Sequence, residues 1–127
     1  MSVEDVKSSF EKAQSKLSEA EAIDATLAPG AVVHTSYYAM FHAAVAFIYF
    51  QTGSAPTKHD QVIGEFGRLL KGAPENERAH GRAFNRLKDL RESDDYDWQE
   101  AIESTEAESA RQIAIAFLEY VRTTIGL

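Results

Sequence analysis

The sequence predicts a single all-α domain, an up-and-down bundle of four or five helices. Apolar residues recur at intervals of three and four along the chain, and strand-like alternation is absent. Glycine and proline separate these periodic segments. A length of 127 residues fits one domain. With 44% hydrophobic and 26% charged residues, we expect residues 1–127 to fold as one soluble unit.

The first helix is predicted from an apolar stripe near the start of the chain. This stripe contains Val3, Val6, Phe10, Ala13, Leu17 and Ala20. Pro29 and Gly30 then predict a break. A second helix is expected from about Ala31 to Thr52, ending at Gly53 as a C-cap. Its residues 37–50 are apolar almost all the way round, which is typical of a central helix covered by neighbours.

The third helix is predicted to begin at a variant of the capping box. Thr57 is followed three residues later by Asp60, in place of the usual Glu. The helix is expected to end at Gly72. Its predicted core residues are Val62, Ile63, Phe66, Leu69 and Leu70.

The last two helices follow from one proline and a second capping pattern. Pro74 suits the first turn of a fourth helix that runs to about Arg91. The acidic residues 92–104 indicate an irregular connection, after which Thr105 and Glu108 match a capping box. The apolar face of the fourth helix has Phe84, Leu87 and Leu90, and that of the fifth has Ala110, Ile113, Ala114, Phe117, Leu118, Val121 and Ile125.

Charge and cysteine usage indicate the compartment and the partners. The chain has no cysteine, which fits a reducing cytosol. We expect no signal peptide, and the apolar run around residues 37–50 is short for a bilayer span, so a cytoplasmic protein without a membrane partner is predicted. The net charge of −7 is unevenly spread, because residues 58–91 carry eight Lys/Arg against five Asp/Glu. An RNA-facing surface is therefore expected only in this middle segment.

Arg91 is the most informative polar position. His80, Phe84, Leu87 and Arg91 share one face of the fourth helix, so Arg91 is predicted to point into the bundle or a cleft. An arginine held there needs anionic or hydrogen-bonding partners. Asp95 and Tyr96 are close in sequence, which leaves two interpretations: a structural ion pair at the helix end, or a site for phosphate or substrate.

The second helix carries a row of polar side chains on its apolar surface. His34, Tyr38 and His42 share one face, with Tyr37 and Phe41 beside them. A histidine in such a setting is more often a hydrogen-bonded core group than a ligand. His42 nevertheless titrates near neutrality and would suit proton transfer if it faced Arg91.

Basic and metal-type patterns on the fourth helix have simpler explanations. Arg78, Arg82 and Arg86 form a separate stripe that fits either a solvated face or phosphate contacts. The Glu77-x-x-His80 spacing resembles that of di-iron bundles, which need a second copy and two further carboxylates. Phosphate loops and zinc-type spacing are also missing. We therefore expect no metal and no other cofactor.

Three segments resemble the HEPN domain family, the nucleotide-binding domain of higher eukaryotes and prokaryotes. Residues 36–44 read SYYAMFHAA, and residues 57–59 read TKH at the start of the next helix. Arg91, three intervening residues, then Asp95 and Tyr96 match the family's Arg-x-x-x-Asp-Tyr segment. The resemblance covers nearly the whole chain. It implies an up-and-down bundle that forms a homodimer, with its polar residues near the dimer interface.

Many members of this family are ribonuclease toxins paired with a minimal nucleotidyltransferase antitoxin. In those nucleases an arginine and a histidine are separated by four to six residues, but here positions 96–98 are Tyr, Asp and Trp. His42 or His59 would have to supply the missing histidine. Thr35 also stands where relatives often carry an arginine before the Tyr-Tyr pair. Both departures count against full nuclease activity.

Three functions follow as hypotheses. The first is a nucleotide- or RNA-binding component of a toxin–antitoxin pair, with weak or absent catalysis. The second is an active metal-independent ribonuclease, and the third is a scaffolding dimer whose polar cluster only holds the fold. The candidate catalytic residues are Arg91, Asp95, Tyr96 and His42, and the candidate nucleotide- or RNA-binding residues are Tyr37, Tyr38, His59, Arg82 and Arg86.

Overall fold

Five helices build the chain in this computed structural model. The structure describes residues 3–96 and 101–127, with the side chains of all of these except Asp95 and Tyr96. The helices are α1 (Val3–Ala22), α2 (Pro29–Thr52), α3 (His59–Leu69), α4 (Glu75–Tyr96) and α5 (Ser104–Ile125). No strand occurs within these ranges. The all-α prediction is therefore confirmed.

Helix α2 is the centre of the bundle and packs against all four other helices. Its Val33, Met40, Ala43 and Phe47 are buried, as are most of its other apolar side chains. This position explains why the helix is apolar all round. Residues 37–50 alone are short for a bilayer span. The whole of α2 is long and apolar enough to cross a bilayer, but it is mostly buried inside the bundle. Such burial fits the core helix of a soluble protein.

Two predicted helix starts are wrong. Pro29 and Gly30 form the first turn of α2 instead of a break, because the φ angle of proline and its missing N–H suit that position. Thr57 does not cap α3. The residue at the N-cap is Lys58, and no side chain makes a capping hydrogen bond there.

The ends of α4 and the start of α5 also differ from the prediction. Helix α4 continues beyond Arg91 to Tyr96, so part of the acidic segment is helical. Helix α5 begins at Ser104 with a capping box made by Glu103 and Glu106, and the Glu106 Oε1 atom accepts a hydrogen bond from the Glu103 N–H at 3.1 Å. The Thr105–Glu108 capping box is therefore wrong.

Helices α3 and α4 form an antiparallel hairpin. Near its open end the Lys88 Nζ atom lies 3.1 Å from the Asp60 Oδ1 atom. Midway, a methyl group added at Gly81 would lie 3.8 Å from the Gly67 Cα atom, so the two helices approach closely there. This pairing sets the register that brings the start of α3 beside the last turns of α4.

Candidate functional site

Arg91 lies on the inward face of α4, as predicted. Leu87 and Phe84, one and two turns earlier, are buried in the core. The Arg91 guanidinium carbon is 4.8 Å from the centroid of the Tyr37 ring and 5.7 Å from that of Tyr38. Its Nη1 atom donates a hydrogen bond to the Tyr38 hydroxyl at 3.2 Å. Two cation–π contacts and one hydrogen bond thus hold this guanidinium in place.

The remaining donors of Arg91 are not fully used. Its Nε atom is buried and has no hydrogen-bond partner among the described side chains. A guanidinium has five N–H donors, and leaving a buried one unpaired costs free energy. The predicted ion pair with Asp95 concerns a side chain outside the described residues. The Nη2 atom is not buried and makes no hydrogen bond with the described side chains, so it is the donor that an anion could reach.

Tyr37 connects this arginine to α3. The Tyr37 hydroxyl lies 2.9 Å from the Nδ1 atom of His59. Burial raises the pKa of Tyr37 to about 12, so the phenol keeps its proton. A fully buried hydroxyl needs an acceptor, and Nδ1 supplies it. Tyr37 therefore donates to His59, which leaves the proton of neutral His59 on Nε2.

His59 sits between the aromatic side chains of α2. Its ring stacks on Phe41 with centroids 4.2 Å apart, and it lies edge-on to Tyr38 at 5.6 Å. Burial, and then the positive charge of Arg91, lower the pKa of His59. The imidazole is therefore neutral at pH 7. Tyr37, Tyr38, His59 and Arg91 are called the Arg91 cluster below.

A second contact fixes the end of α4 against the start of α2. The His34 Nε2 atom lies 3.1 Å from the Asp94 Oδ2 atom. A methyl group added at Gly30 would lie only 2.7 Å from that same oxygen. Glycine thus leaves room for the Asp94 carboxylate at the first turn of α2, and a larger residue would push this carboxylate aside. Asp94 was missed from sequence because Gly30 was interpreted as part of a chain break.

His42 does not join the Arg91 cluster. Its ring contacts Phe41 edge-on, with centroids 5.4 Å apart. Burial lowers the pKa of His42, and the next causes are the charges of Lys12 and Lys16 on α1. Among the described side chains, none of its contacts is with Arg91. The polar row on α2 is therefore divided: His34 faces Asp94, Tyr38 faces Arg91, and His42 lies near α1.

The other predicted residues of α4 are spread over its surface. Arg82 is exposed and forms an ion pair with Glu75, whereas Arg86 lines a groove of about 460 Å³ between α4 and α5. The side chains of Asp95 and Tyr96, both predicted as catalytic, lie outside the described residues. The structure therefore brings together Tyr37, Tyr38, His59 and Arg91 of the predicted set, and leaves Arg82 and Arg86 apart from them.

The Glu-x-x-His pattern of α4 takes part in packing. The Tyr120 hydroxyl donates to the Glu77 Oε1 atom at 2.9 Å, and the His80 ring stacks on Tyr120 with centroids 4.5 Å apart. Over residues 3–96 and 101–127, no three potential metal ligands lie together. The two residues connect α4 to α5.

Comparison with known proteins identifies one family. The family described as HEPN domain matches residues 6–124. This match reaches from the first turns of α1 into the last turn of α5 and includes every residue of the Arg91 cluster. No curated protein matches the chain significantly.

Proposed function

The chain belongs to the HEPN domain family, and from this premise we propose that the Arg91 cluster binds a phosphate group of a nucleotide or of RNA. One observation carries the proposal. Arg91 is held by Tyr37 and Tyr38 in a partly buried position, and its Nη2 atom, which is not buried, makes no hydrogen bond with the described side chains. The N–H donors of a guanidinium fixed in this way are preorganised for binding an anion.

The neighbouring groups fit the rest of a nucleotide. A planar guanidinium binds phosphate through two parallel hydrogen bonds. Beside it, His59 carries its proton on Nε2 and would donate a further hydrogen bond. Tyr38 is only partly buried, and an accessible aromatic ring provides a face on which a base can stack.

The cluster supports binding more than cleavage. Metal-independent RNA cleavage needs a base to take the proton of the 2′-hydroxyl and an acid to protonate the leaving oxygen. The Nδ1 lone pair of His59 is occupied by the Tyr37 hydroxyl, and its Nε2 already holds a proton. Neither nitrogen is a free base, so we propose that catalysis is weak or absent.

The test is binding of a nucleoside 5′-monophosphate and of a short single-stranded RNA to wild type and to Arg91→Gln, by titration calorimetry. Hydrogen bonds to a charged partner contribute about 1.5–3 kcal/mol, so the variant should bind about ten- to a hundredfold more weakly. Arg122→Gln is the matched control, because Arg122 is exposed on α5 and pairs with Glu119. Circular dichroism checks that both variants are folded.

Equal affinity of Arg91→Gln and wild type would contradict the proposal. A different result would favour the scaffolding alternative: no nucleotide binding by wild type, together with a large loss of thermal stability in Arg91→Gln. In that case the cation–π contacts of Arg91 serve the fold alone.

A ribonuclease is the second candidate, and the position of His59 favours it. His59 stands beside Arg91 although the histidine expected after Arg91 in sequence is missing. For cleavage, His59 would adopt its other neutral tautomer, in which Nδ1–H donates a hydrogen bond to the Tyr37 hydroxyl oxygen and Nε2 is free as a base. Nε2 would take the proton of the 2′-hydroxyl as the 2′-oxygen attacks phosphorus, the bond to the 5′-oxygen would break, and water would supply the proton of that leaving oxygen.

Metal-free cleavage assays separate the two candidates. The substrate is RNA, with the same strand carrying 2′-deoxyribose as its control. Our proposal expects little or no cleavage by wild type. Cleavage of the RNA alone, lost in both Arg91→Gln and His59→Asn, would overturn it in favour of the nuclease.

We also propose the partners that family membership suggests, a homodimer and a minimal nucleotidyltransferase antitoxin. The support is the family alone, because most of the apolar surface of α2 is already covered within one chain. Light scattering tests the first partner: a particle of 14.1 kDa at micromolar concentration would contradict dimerisation. Co-purification with a nucleotidyltransferase encoded beside this chain tests the second.

A further inference from the structure

The groove between α4 and α5 has the size of a small-molecule site. Its volume is about 460 Å³, and its apolar lining consists of Leu87, Leu90, Ala110 and Ile113. Leu87 and Ala110 are buried, whereas Leu90 and Ile113 are only partly covered by the bundle. Ligand pockets in proteins have volumes of about 300–1,000 Å³, are mostly apolar, and often lie between the helices of a bundle.

Small side chains on α5 explain why the groove is open. In the middle of the two helices, Phe84 and Phe117 fill the space between α4 and α5, with ring centroids 5.4 Å apart. Toward the start of α5, its buried face continues with Ala114, Ala110 and Ala107. A methyl group extends much less far from the helix axis than a phenyl ring. The groove therefore lies where alanine replaces phenylalanine on α5.

The charged side chains at the rim are unevenly placed. Helices α4 and α5 run antiparallel, because the start of α4 meets the end of α5 through the Glu77–Tyr120 hydrogen bond. Asp89 and Glu106 therefore lie toward one end of the groove and Arg86 toward the other.

Neither carboxylate at this end of the groove is neutralised by a cation. Asp89 makes no ion pair with the described side chains. Glu106 accepts a hydrogen bond from the backbone N–H of Glu103, which is an uncharged donor. Residues 92–127 carry a net charge of −7, so the surrounding field also favours a cation.

The dimensions of the groove favour a small molecule over a protein segment. Its nine lining residues come from residues 86–90 of α4 and 105–113 of α5. At 1.5 Å per residue, the α4 wall is about 6 Å long. A docked helix uses apolar anchors from i to i+7, which span about 10 Å, and stable protein interfaces involve about 20–30 residues on each side. The groove is too short for either.

We propose that this groove binds a small organic amine. The apolar body of the ligand covers Leu90 and Ile113, and removal of this apolar surface from water stabilises the complex. The protonated amino group lies beside Asp89 and Glu106, whose carboxylates accept its hydrogen bonds. None of the lining residues belongs to the Arg91 cluster. The amine site therefore goes beyond the proposed function and does not depend on it.

The experiment uses three probes that share one phenyl body and differ in charge. These are 2-phenylethylamine, 2-phenylethanol and phenylacetate. Each probe is titrated at millimolar concentration into the ¹⁵N-labelled full chain, and binding is followed by the amide shifts of residues 86–90 and 105–113. We expect the amine to bind about two- to fivefold more tightly than the alcohol, the usual effect of an ion pair near the surface. Phenylacetate should bind more weakly than the alcohol.

Two variants test the charged and the apolar part of the site. Asp89→Asn should weaken binding of the amine by about the same two- to fivefold factor and leave the alcohol unaffected. Ser109→Phe places a ring at the rim of the groove and should abolish binding of both probes. The controls are Glu11→Gln, which removes an exposed carboxylate from α1, and Gln112→Phe, which adds the same ring at an exposed position of α5 outside the lining.

Three results would overturn the amine site. The first is equal affinity for amine and alcohol, and the second is an undiminished set of amide shifts in Ser109→Phe. The third is a shift of the groove amides by a basic amphipathic helical peptide but not by the amine, which would assign the groove to a protein segment. Nucleotide binding should equal that of wild type in all four variants, so calorimetry with the nucleotide decides the proposed function separately.

Discussion

Tyr37 determines the protonation of His59 at the scale of single residues. Its buried hydroxyl donates to Nδ1, and so the His59 proton resides on Nε2. This arrangement makes His59 a donor toward a ligand and not a base. The proposed binding function and the proposed weakness of catalysis both depend on this one hydrogen bond.

Tyr37→Phe should remove the preference of His59 for the tautomer with its proton on Nε2. We expect the ¹⁵N shifts of His59 to change from the Nε2–H form in wild type toward a mixture of both forms. Loss of the buried hydrogen bond should lower the free energy of unfolding by about 1 kcal/mol. Tyr49→Phe is the control, because the Tyr49 ring packs against the core but its hydroxyl has no hydrogen-bond partner within the described residues. An unchanged His59 spectrum in Tyr37→Phe would contradict the assignment.

Gly30→Ala should displace the Asp94 carboxylate. The new methyl group would stand 2.7 Å from the Asp94 Oδ2 atom, so the side chain must move and its contact with His34 must change. The displaced atoms are the end of a flexible, partly exposed side chain, so we expect a loss of less than about 1 kcal/mol in the free energy of unfolding, the range of an exposed ion pair, and weaker nucleotide binding because Asp94 lies close to Arg91 on α4.

Gly64→Ala provides the matched control for that substitution. Nothing lies within 4 Å of a methyl group added there, and alanine is a better helix former than glycine. This variant should be more stable by about 0.5–1 kcal/mol. Equal effects of the two alanines in urea unfolding would exclude a specific role for the Gly30–Asp94 approach.

At the scale of helices, Arg111 of α5 caps the end of α1. Its Nη1 atom donates to the carbonyl oxygens of Ala20 at 2.8 Å and Ile23 at 2.9 Å. These are carbonyls at the helix end that lack partners within α1. Glu108 pairs with the same guanidinium, which is the role it has instead of the predicted capping box.

Arg111→Gln should therefore destabilise the packing of α1. The side chain is 13% exposed, so its hydrogen bonds are shielded from water. We expect a loss of about 1.5–3 kcal/mol in the free energy of unfolding, with faster amide exchange in the last turn of α1. Arg122→Gln, on the same helix but exposed, should change stability by less than about 1 kcal/mol. Equal losses in both variants would contradict the capping role.

For the whole molecule, stability should depend on pH through three histidines. Burial is the first cause that lowers the pKa of His42, His59 and His80 below the ordinary value of 6.5. The unfolded chain then binds more protons than the folded one as pH falls below 6.5. The contribution of these histidines to the free energy of unfolding is fully present above that pH. It is lost as the pH decreases through their pKa values in the folded state.

Melting temperatures between pH 7.5 and 5 test this dependence. The midpoint should fall with pH, and the fall should be smaller in His80→Phe, which keeps an aromatic ring against Tyr120. Carboxylates with lowered pKa, Glu65 and Glu119, have an ordinary value of 4.5 and contribute only in more acidic solution. A midpoint that rises toward pH 5 would show that the histidines are more basic in the fold.

Much of the fold was predicted from sequence because helical periodicity is a local property. The apolar stripes, the central position of α2 and the inward face of Arg91 all follow from residues three and four apart. Helix boundaries were less predictable. Pro29 begins α2, and Lys58 stands at the N-cap of α3 without a side-chain hydrogen bond, because helices in proteins are stabilised mainly by packing of their apolar face and less by local capping residues.

The sequence by itself determined the all-α class, the core stripes, the family resemblance and the placement of Arg91 on an inward face. Only the tertiary structure decided which histidine meets Arg91. His59 lies on α3 and His42 on α2, and periodicity relates residues within one helix but not across two. The close approach of Gly67 and Gly81 and the Asp60–Lys88 pair set the register of the α3–α4 hairpin, and this register brings His59 to Arg91.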